Sequence, residues 1–114
     1  MGDGQRNIDA RRFTRVPFRR AVRVKAGSHE MFLGYAGQDI SQGGLRVMSS
    51  VFFPVNSHLD LQFQLKDLDK ILDVRGRVAW IRFNPLTEMY QMGLDFSEES
   101  AFKRGLIMEF IQAR

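Results

Sequence analysis

The chain has 114 residues, 44% of them hydrophobic and 26% charged, enough for one buried core and too few for two ordinary domains of about 100–150 residues each. It has no cysteine and only two histidines, His29 and His58, far apart in sequence, which excludes disulfides and thiolate metal sites and argues against any metal cofactor. A net charge of +4 favours an anionic partner, and the basic excess sits in Arg6, Arg11, Arg12, Arg15, Arg19, Arg20, Arg23 and Lys25, whereas acidic residues slightly outnumber basic ones beyond residue 28. The charge therefore describes a local anion site at the N-terminal quarter. No apolar run approaches the roughly 20 residues of a membrane helix and no signal-peptide core is present, so a cytoplasmic protein without membrane insertion is expected.

Residues 1–8 read as a flexible N-terminus and 9–17 as an arginine-rich arm. Arg11, Arg15, Arg19 and Arg23 recur every fourth residue, but Pro17 forces the preceding Val16 towards an extended conformation and argues against one continuous helix. An interval of four places Arg11 and Arg15 on one side of an extended arm, with Arg12 on the other. Phe18, Val22 and Val24 begin a first strand, His29 to Ala36 a second and Leu45 to Met48 a third, with Asp39 to Gly44 as the turn between the last two. Leu59, Leu61, Phe63 and Leu65 alternate with polar residues, as do Leu72, Val74, Val78 and Trp80; Trp80 could stack on a guanine, but its alternation with Val74 and Val78 favours a place in the core. After the Asn84-Pro85 turn, Tyr90, Met92, Leu94 and Phe96 form a last strand, completing a barrel over 18–96. The period then changes: Ser97 is a candidate N-cap for a helix over 98–113, whose apolar face is Phe102, Leu106, Ile107, Phe110 and Ile111. Strands joined by turns and ended by one helix imply a mainly β domain over 9–114, an antiparallel barrel or sandwich.

Two short motifs carry the chemistry. Arg11-Arg12-Phe13-Thr14-Arg15 offers planar, permanently charged donors suited to phosphate oxygens and to the O6/N7 edge of guanine. In Asp39-Ile40-Ser41-Gln42-Gly43-Gly44 the aspartate offers acceptors to guanine N1 and N2, donors that adenine lacks, and Ser41 offers a hydroxyl. Gly43 and Gly44 allow positive φ and close approach of backbone amides to a ligand. The two motifs resemble the RxxxR and [D/N]xSxxG signatures of the PilZ domain family, with Arg11, Arg15, Asp39, Ser41 and Gly44 filling every position.

The resemblance implies a six-stranded, Greek-key-like antiparallel barrel with a C-terminal helix and a non-catalytic receptor for the bacterial second messenger cyclic di-GMP. It assigns ligand binding to Arg11, Arg15, Asp39, Ser41 and Gly44, with Arg12 and Gly43 as candidates beside them. Ligand would order the arm and relay the signal to an unidentified protein effector in motility, surface attachment, biofilm formation or polysaccharide secretion. Some members carry an arginine where this chain has Ala10 and bind two stacked ligand molecules, so the departure at Ala10 leaves the ligand count open. A monomer or weak homodimer is expected. Two other readings are a nucleic-acid module, in which the basic arm contacts phosphates and Phe13 and Phe18 stack on bases, and a ligand-free interaction domain. An enzyme is disfavoured, because Ser41 has no evident base partner and no Walker motif is present.

Overall fold

The computed structural model describes residues 14–26, 33–65 and 71–113. They form β1 (Val16–Pro17), β2 (Ala21–Ala26), β3 (Leu33–Ser41), β4 (Gly44–Ser49), β5 (His58–Phe63), β6 (Leu72–Asn84), β7 (Met89–Asp95) and a helix α1 (Ala101–Gln112). Every pairing is antiparallel, in the order β1-β3-β2-β5-β6-β7-β4, and β3 pairs again with β4. That last pairing closes β2 to β7 into a six-stranded barrel and leaves β1 outside the ring. Within it β4-β3-β2-β5 is a Greek key, and β5-β6-β7 returns as a meander to meet β4.

The core follows from period-two patterning. Val22, Val24, Ile40, Leu45, Val47, Leu59, Leu61, Val74, Val78, Met92 and Leu94 are all buried, while their strand neighbours face outward. Phe18 is 1% exposed and sits where the arm enters the barrel, with its ring edge-to-face on Phe63 (centroids 5.4 Å apart) and on Phe110 of α1 (6.0 Å). The arm's backbone is tied to β3 at the same place: Phe18 N–H donates to Gln38 O (2.9 Å), and Gly37 N–H donates to Arg20 O (2.8 Å). β1 then runs on along the edge of β3, with Val16 opposite Ile40 and Pro17 opposite Asp39.

The structure departs from the sequence expectations at β3 and at β6. The second strand does not end at Ala36; β3 continues to Ser41, so Asp39 and Ser41 lie on a strand and only Gln42 and Gly43 turn. A bulge between Gly37 and Asp39 restarts the alternation, which puts Ile40 in the core opposite Leu45. His29 to Phe32, the start of that expected strand, lie outside the described residues. A second bulge, between Val78 and Trp80, turns Ile81 towards the core and moves Trp80 out of it.

The helix begins later than expected. Ser100, not Ser97, is the N-cap: its hydroxyl accepts from Lys103 N–H at 3.2 Å. Ser97 is held instead by Asp95, to which its hydroxyl donates at 2.8 Å, and Glu99 accepts the N–H groups of Arg75 (2.6 Å) and Ser100 (2.8 Å) before the helix starts. Ile107 and Phe110 are buried, but Phe102 is 74% exposed. The buried face thus runs back towards Lys103 and Arg104, both half-buried, instead of through Phe102. No helix among the described residues is long and apolar enough to cross a membrane.

Phe18 joins the arm, the barrel and α1, so Phe18→Ala removes packing from all three. We expect a loss of about 3–5 kcal/mol in stability, read as a lower denaturant midpoint for the variant.

Candidate functional site

The turn motif is built by the β3–β4 hairpin. Across it Asp39 pairs with Arg46, Ile40 with Leu45 and Ser41 with Gly44, so the first pair faces outward over the buried second pair. Asp39 receives two guanidinium groups. Arg15 Nη1 donates to its Oδ1 at 2.6 Å, and Arg46 donates to Oδ2 through Nε at 2.5 Å and again through Nη2. The Asp39 side chain is 13% exposed, against 46% for Arg15 and 39% for Arg46. A nearly buried acceptor is thus held between two half-solvated cations. The hydrogen bond to Asp39 raises the pKa of Arg46, burial opposes the shift, and the Asp39 charge adds to it.

Ser41 is 2% exposed. Its Oγ accepts from Gly43 N–H at 3.1 Å and lies 3.5 Å from Gly44 O, so the hydroxyl shapes the turn. Gly43 O in turn accepts from Phe96 N–H at 3.0 Å, tying the turn to the end of β7. Gly44 does not adopt positive φ; it is required because a Cβ there would meet Leu94 O of β7 at 2.3 Å.

The structure therefore brings together Arg15, Asp39, Ser41, Gly43 and Gly44. Arg11 and Arg12 lie outside the described residues. Arg46 was missed by sequence reasoning; its signal was available, since the residue opposite Asp39 in a hairpin turning at Gln42-Gly43 is position 46. Phe18, offered to bases in the nucleic-acid reading, is buried in the core and unavailable for stacking.

The outer face continues beyond this pair. Arg46 is opposite Gly93 on β7, and Gly93 is opposite Trp80 on β6, so Asp39, Arg46, Gly93 and Trp80 form one row across four strands. The adjacent row runs Ser41, Gly44, Asp95, Arg77, with an Arg77–Asp95 ion pair. Burial pushes the Asp95 carboxyl up, but hydrogen bonds from Ser97 and Arg77 outweigh it and leave the pKa lowered. Among the described residues no group of three His, Cys, Asp or Glu side chains could hold a metal ion.

Two variants probe this scaffold. Gly44→Ala sets a methyl group against the Leu94 carbonyl and should lower the melting temperature by several degrees, an effect of at least about 1 kcal/mol. Asp95, with its folded pKa depressed, contributes stability above its unfolded pKa that is lost as pH falls through the folded value. Asp95→Asn should therefore be less stable than the parent at pH 7, by on the order of 1 kcal/mol, with the gap closing below about pH 4 in denaturation curves.

Comparison with known proteins places this face in context. The family model for the PilZ domain matches residues 9–113. No curated protein sequence matches the chain. Among solved structures, the Bacillus subtilis inhibitor of motility MotI/DgrA is similar with a TM-score of 0.73 at 21% identity, over 90% of this chain and 50% of that one. YcgR of Escherichia coli in complex with c-di-GMP gives a TM-score of 0.69 at 11% identity, over 90% of this chain and 45% of that one. The PilZ domain of YcgR with c-di-GMP gives 0.65 at 12% identity, over 90% of this chain and 89% of that domain. The chain spans about half the length of the MotI and full YcgR chains, and at these identities the likeness is one of fold. A family match over nearly all of the chain, on a closed six-stranded antiparallel barrel with a C-terminal helix, places this protein in the PilZ domain family.

Proposed function

We propose that this domain is a non-catalytic receptor for cyclic di-GMP and that the ligand binds on the outer face of the β3–β4 hairpin. The observation that carries the reading is the Arg15–Asp39 pair at 2.6 Å, which joins two motifs 24 positions apart in sequence at one acceptor. Asp39 accepts guanine N1–H and N2–H, while Arg15, with Arg11 and Arg12 from the arm, binds phosphate or guanine O6/N7. Ser41, Gly43 and Gly44 serve chiefly by fixing the turn that presents Asp39.

Binding is an exchange at Asp39. Its oxygens are already engaged by Arg15 and Arg46, so guanine takes over acceptor capacity that a guanidinium gives up. The released arginine is half-solvated already and turns to a phosphate or to the O6/N7 edge, which keeps the cost of opening the pair small. Adenine, without the N1 and N2 donors, would leave Asp39 facing a base that cannot replace an arginine.

The arm completes the mechanism. Phe18 fixes its base and β1 lays it along β3, so ligand held by Arg11, Arg12 and Arg15 draws the arm across the hairpin and presents a new surface to a protein effector. The domain acts in the cytoplasm. Motility is the first output to test, since one structural neighbour is an inhibitor of motility, followed by biofilm and polysaccharide production.

Calorimetry with cyclic di-GMP and cyclic di-AMP tests the reading. The guanine ligand should bind selectively, and Arg15→Ala and Asp39→Ala should each weaken it roughly ten- to a hundredfold, the loss of a charged hydrogen bond worth about 1.5–3 kcal/mol. Both variants should keep their thermal transitions, because the remaining guanidinium groups are open to water. Equal affinity for the two nucleotides, or no binding, would contradict it.

A further inference from the structure

The β6–β7 hairpin outruns the barrel. β5 accompanies β6 only as far as Arg77, and the loop before β5 takes the next position, with Asn56 N–H donating to Val78 O (2.7 Å) and Val78 N–H to Ser57 O (2.9 Å). Over residues 80–84 β6 pairs with β7 alone among the described residues, so its other edge is open. At the tip Asn84 O accepts from Glu88 N–H (2.8 Å), which turns the backbone groups of Asn84, and of Arg82 two residues back, towards β7. Ile81 and Phe83 therefore aim their N–H and C=O groups out of the open edge.

The inner face beside this edge is apolar and almost free of charge. Phe83 pairs across the hairpin with Tyr90 (ring centroids 5.2 Å apart), and Phe52 lies edge-on to Tyr90 at 5.7 Å, so three rings extend the line of Ile81 and Met92 beyond the barrel mouth. Five of the eight large hydrophobic side chains exposed among the described residues, Val51, Phe52, Val55, Phe83 and Leu86, belong to this end. Across residues 50–57 and 83–90 the only charge is Glu88. Aromatic enrichment with few charges is the composition of an interface core. A helix has no free main-chain groups to offer the open edge, whereas an extended strand does. A second copy of this chain is a poor match, because pairing Ile81 and Phe83 with their own counterparts about a two-fold axis sets Arg82 opposite Arg82.

We propose that the open edge of β6 is a docking site for an extended segment of a partner protein, apolar where it faces Ile81 and Phe83 and acidic where it faces Arg82. The segment adds as an antiparallel strand, exchanging main-chain hydrogen bonds with Ile81 and Phe83 while its apolar side chains cover the Phe83 ring. Arg82 is exposed on the outer face, rests on the Trp80 ring (5.3 Å to the centroid) and has no carboxylate partner among the described residues, so it meets the acidic residue between the two apolar ones. β7 and β4 separate this edge from Asp39 on β3, and the inference does not depend on nucleotide binding.

Titration of the isotopically labelled, nucleotide-free protein with the peptide acetyl-Val-Glu-Val-Glu-Val-amide should shift the Ile81 and Phe83 amides and slow their exchange with solvent. Affinity should fall roughly fivefold when lysine replaces glutamate in the peptide, which exchanges opposite for like charges beside Arg82. The peptide N-methylated at its valines should not bind, since it presents the same side chains without the donors. Phe83→Pro removes one open-edge donor and none from the β7 ladder, and should also lose binding, with amide dispersion checking its fold. The N-methylated peptide makes the same test on the wild-type protein if that variant does not fold. No shift at Ile81 and Phe83, or equal binding of the methylated peptide, overturns the proposal, as do shifts at these amides that grow with protein concentration alone, the mark of a second copy. None of these outcomes touches the receptor reading, which calorimetry tests separately.

Discussion

Closure of the barrel through β3 and β4 is the constraint on which everything else in this domain depends. The two strands are joined by Gln42 and Gly43 alone, and their register sets Ile40 against Leu45 inside and Asp39 against Arg46 outside. A slip of one residue would send a carboxylate and a guanidinium into the core and two aliphatic side chains into water. Burial of Ile40 and Leu45 therefore fixes where Asp39 points. Ser41 and Gly44 reinforce the same register from either side of the turn, one by a hydroxyl that accepts from the Gly43 amide, the other by admitting the Leu94 carbonyl where a side chain would not fit. Precision at the site is thus a consequence of how the barrel shuts.

Electrostatics on this face are poised for exchange rather than locked. Asp39 is nearly buried and fully engaged, whereas Arg15 and Arg46 keep much of their surface in water. A carboxylate in that position carries no unpaired charge, and a ligand bringing its own donors would replace a bond instead of filling a void. One step away the Arg77–Asp95 pair repeats the motif of opposed charges across neighbouring strands, but there Asp95 is also tied to Ser97 and serves the junction with α1. The arm is connected to both functions: Phe18 is part of the core, and the chain just before it lies along β3 beside Asp39.

Strand periodicity made much of this legible in the sequence. The alternating runs from Leu59 and from Leu72 gave strands with the correct buried faces, and the two motifs pointed to positions that the fold does bring together at Arg15 and Asp39. What was not legible were the irregularities. Asp39 to Gly44 reads as a turn because Asp, Ser and Gly are turn residues, yet a bulge between Gly37 and Asp39 lets β3 go on to Ser41. The second bulge inverted the expectation for Trp80, since one extra residue reverses every later face. Ser97 and Ser100 are equally good caps in isolation; Ser97 is taken up by the carboxylate of Asp95 two residues before it, and Ser100 caps the helix. Arg46 escaped because the turn was placed over Asp39 to Gly44; only with the turn cut to Gln42 and Gly43 does the register set position 46 opposite Asp39.

As proposed, cyclic di-GMP lies on the outer face of the β3–β4 hairpin, with the arm folded beside it. Amide chemical-shift mapping of isotopically labelled protein titrated with cyclic di-GMP is the test. Shifts are expected to concentrate at Arg15, Val16, Asp39 to Gly43 and Arg46, with little change on the opposite wall of β2 and β5. Shifts confined to that wall would contradict it.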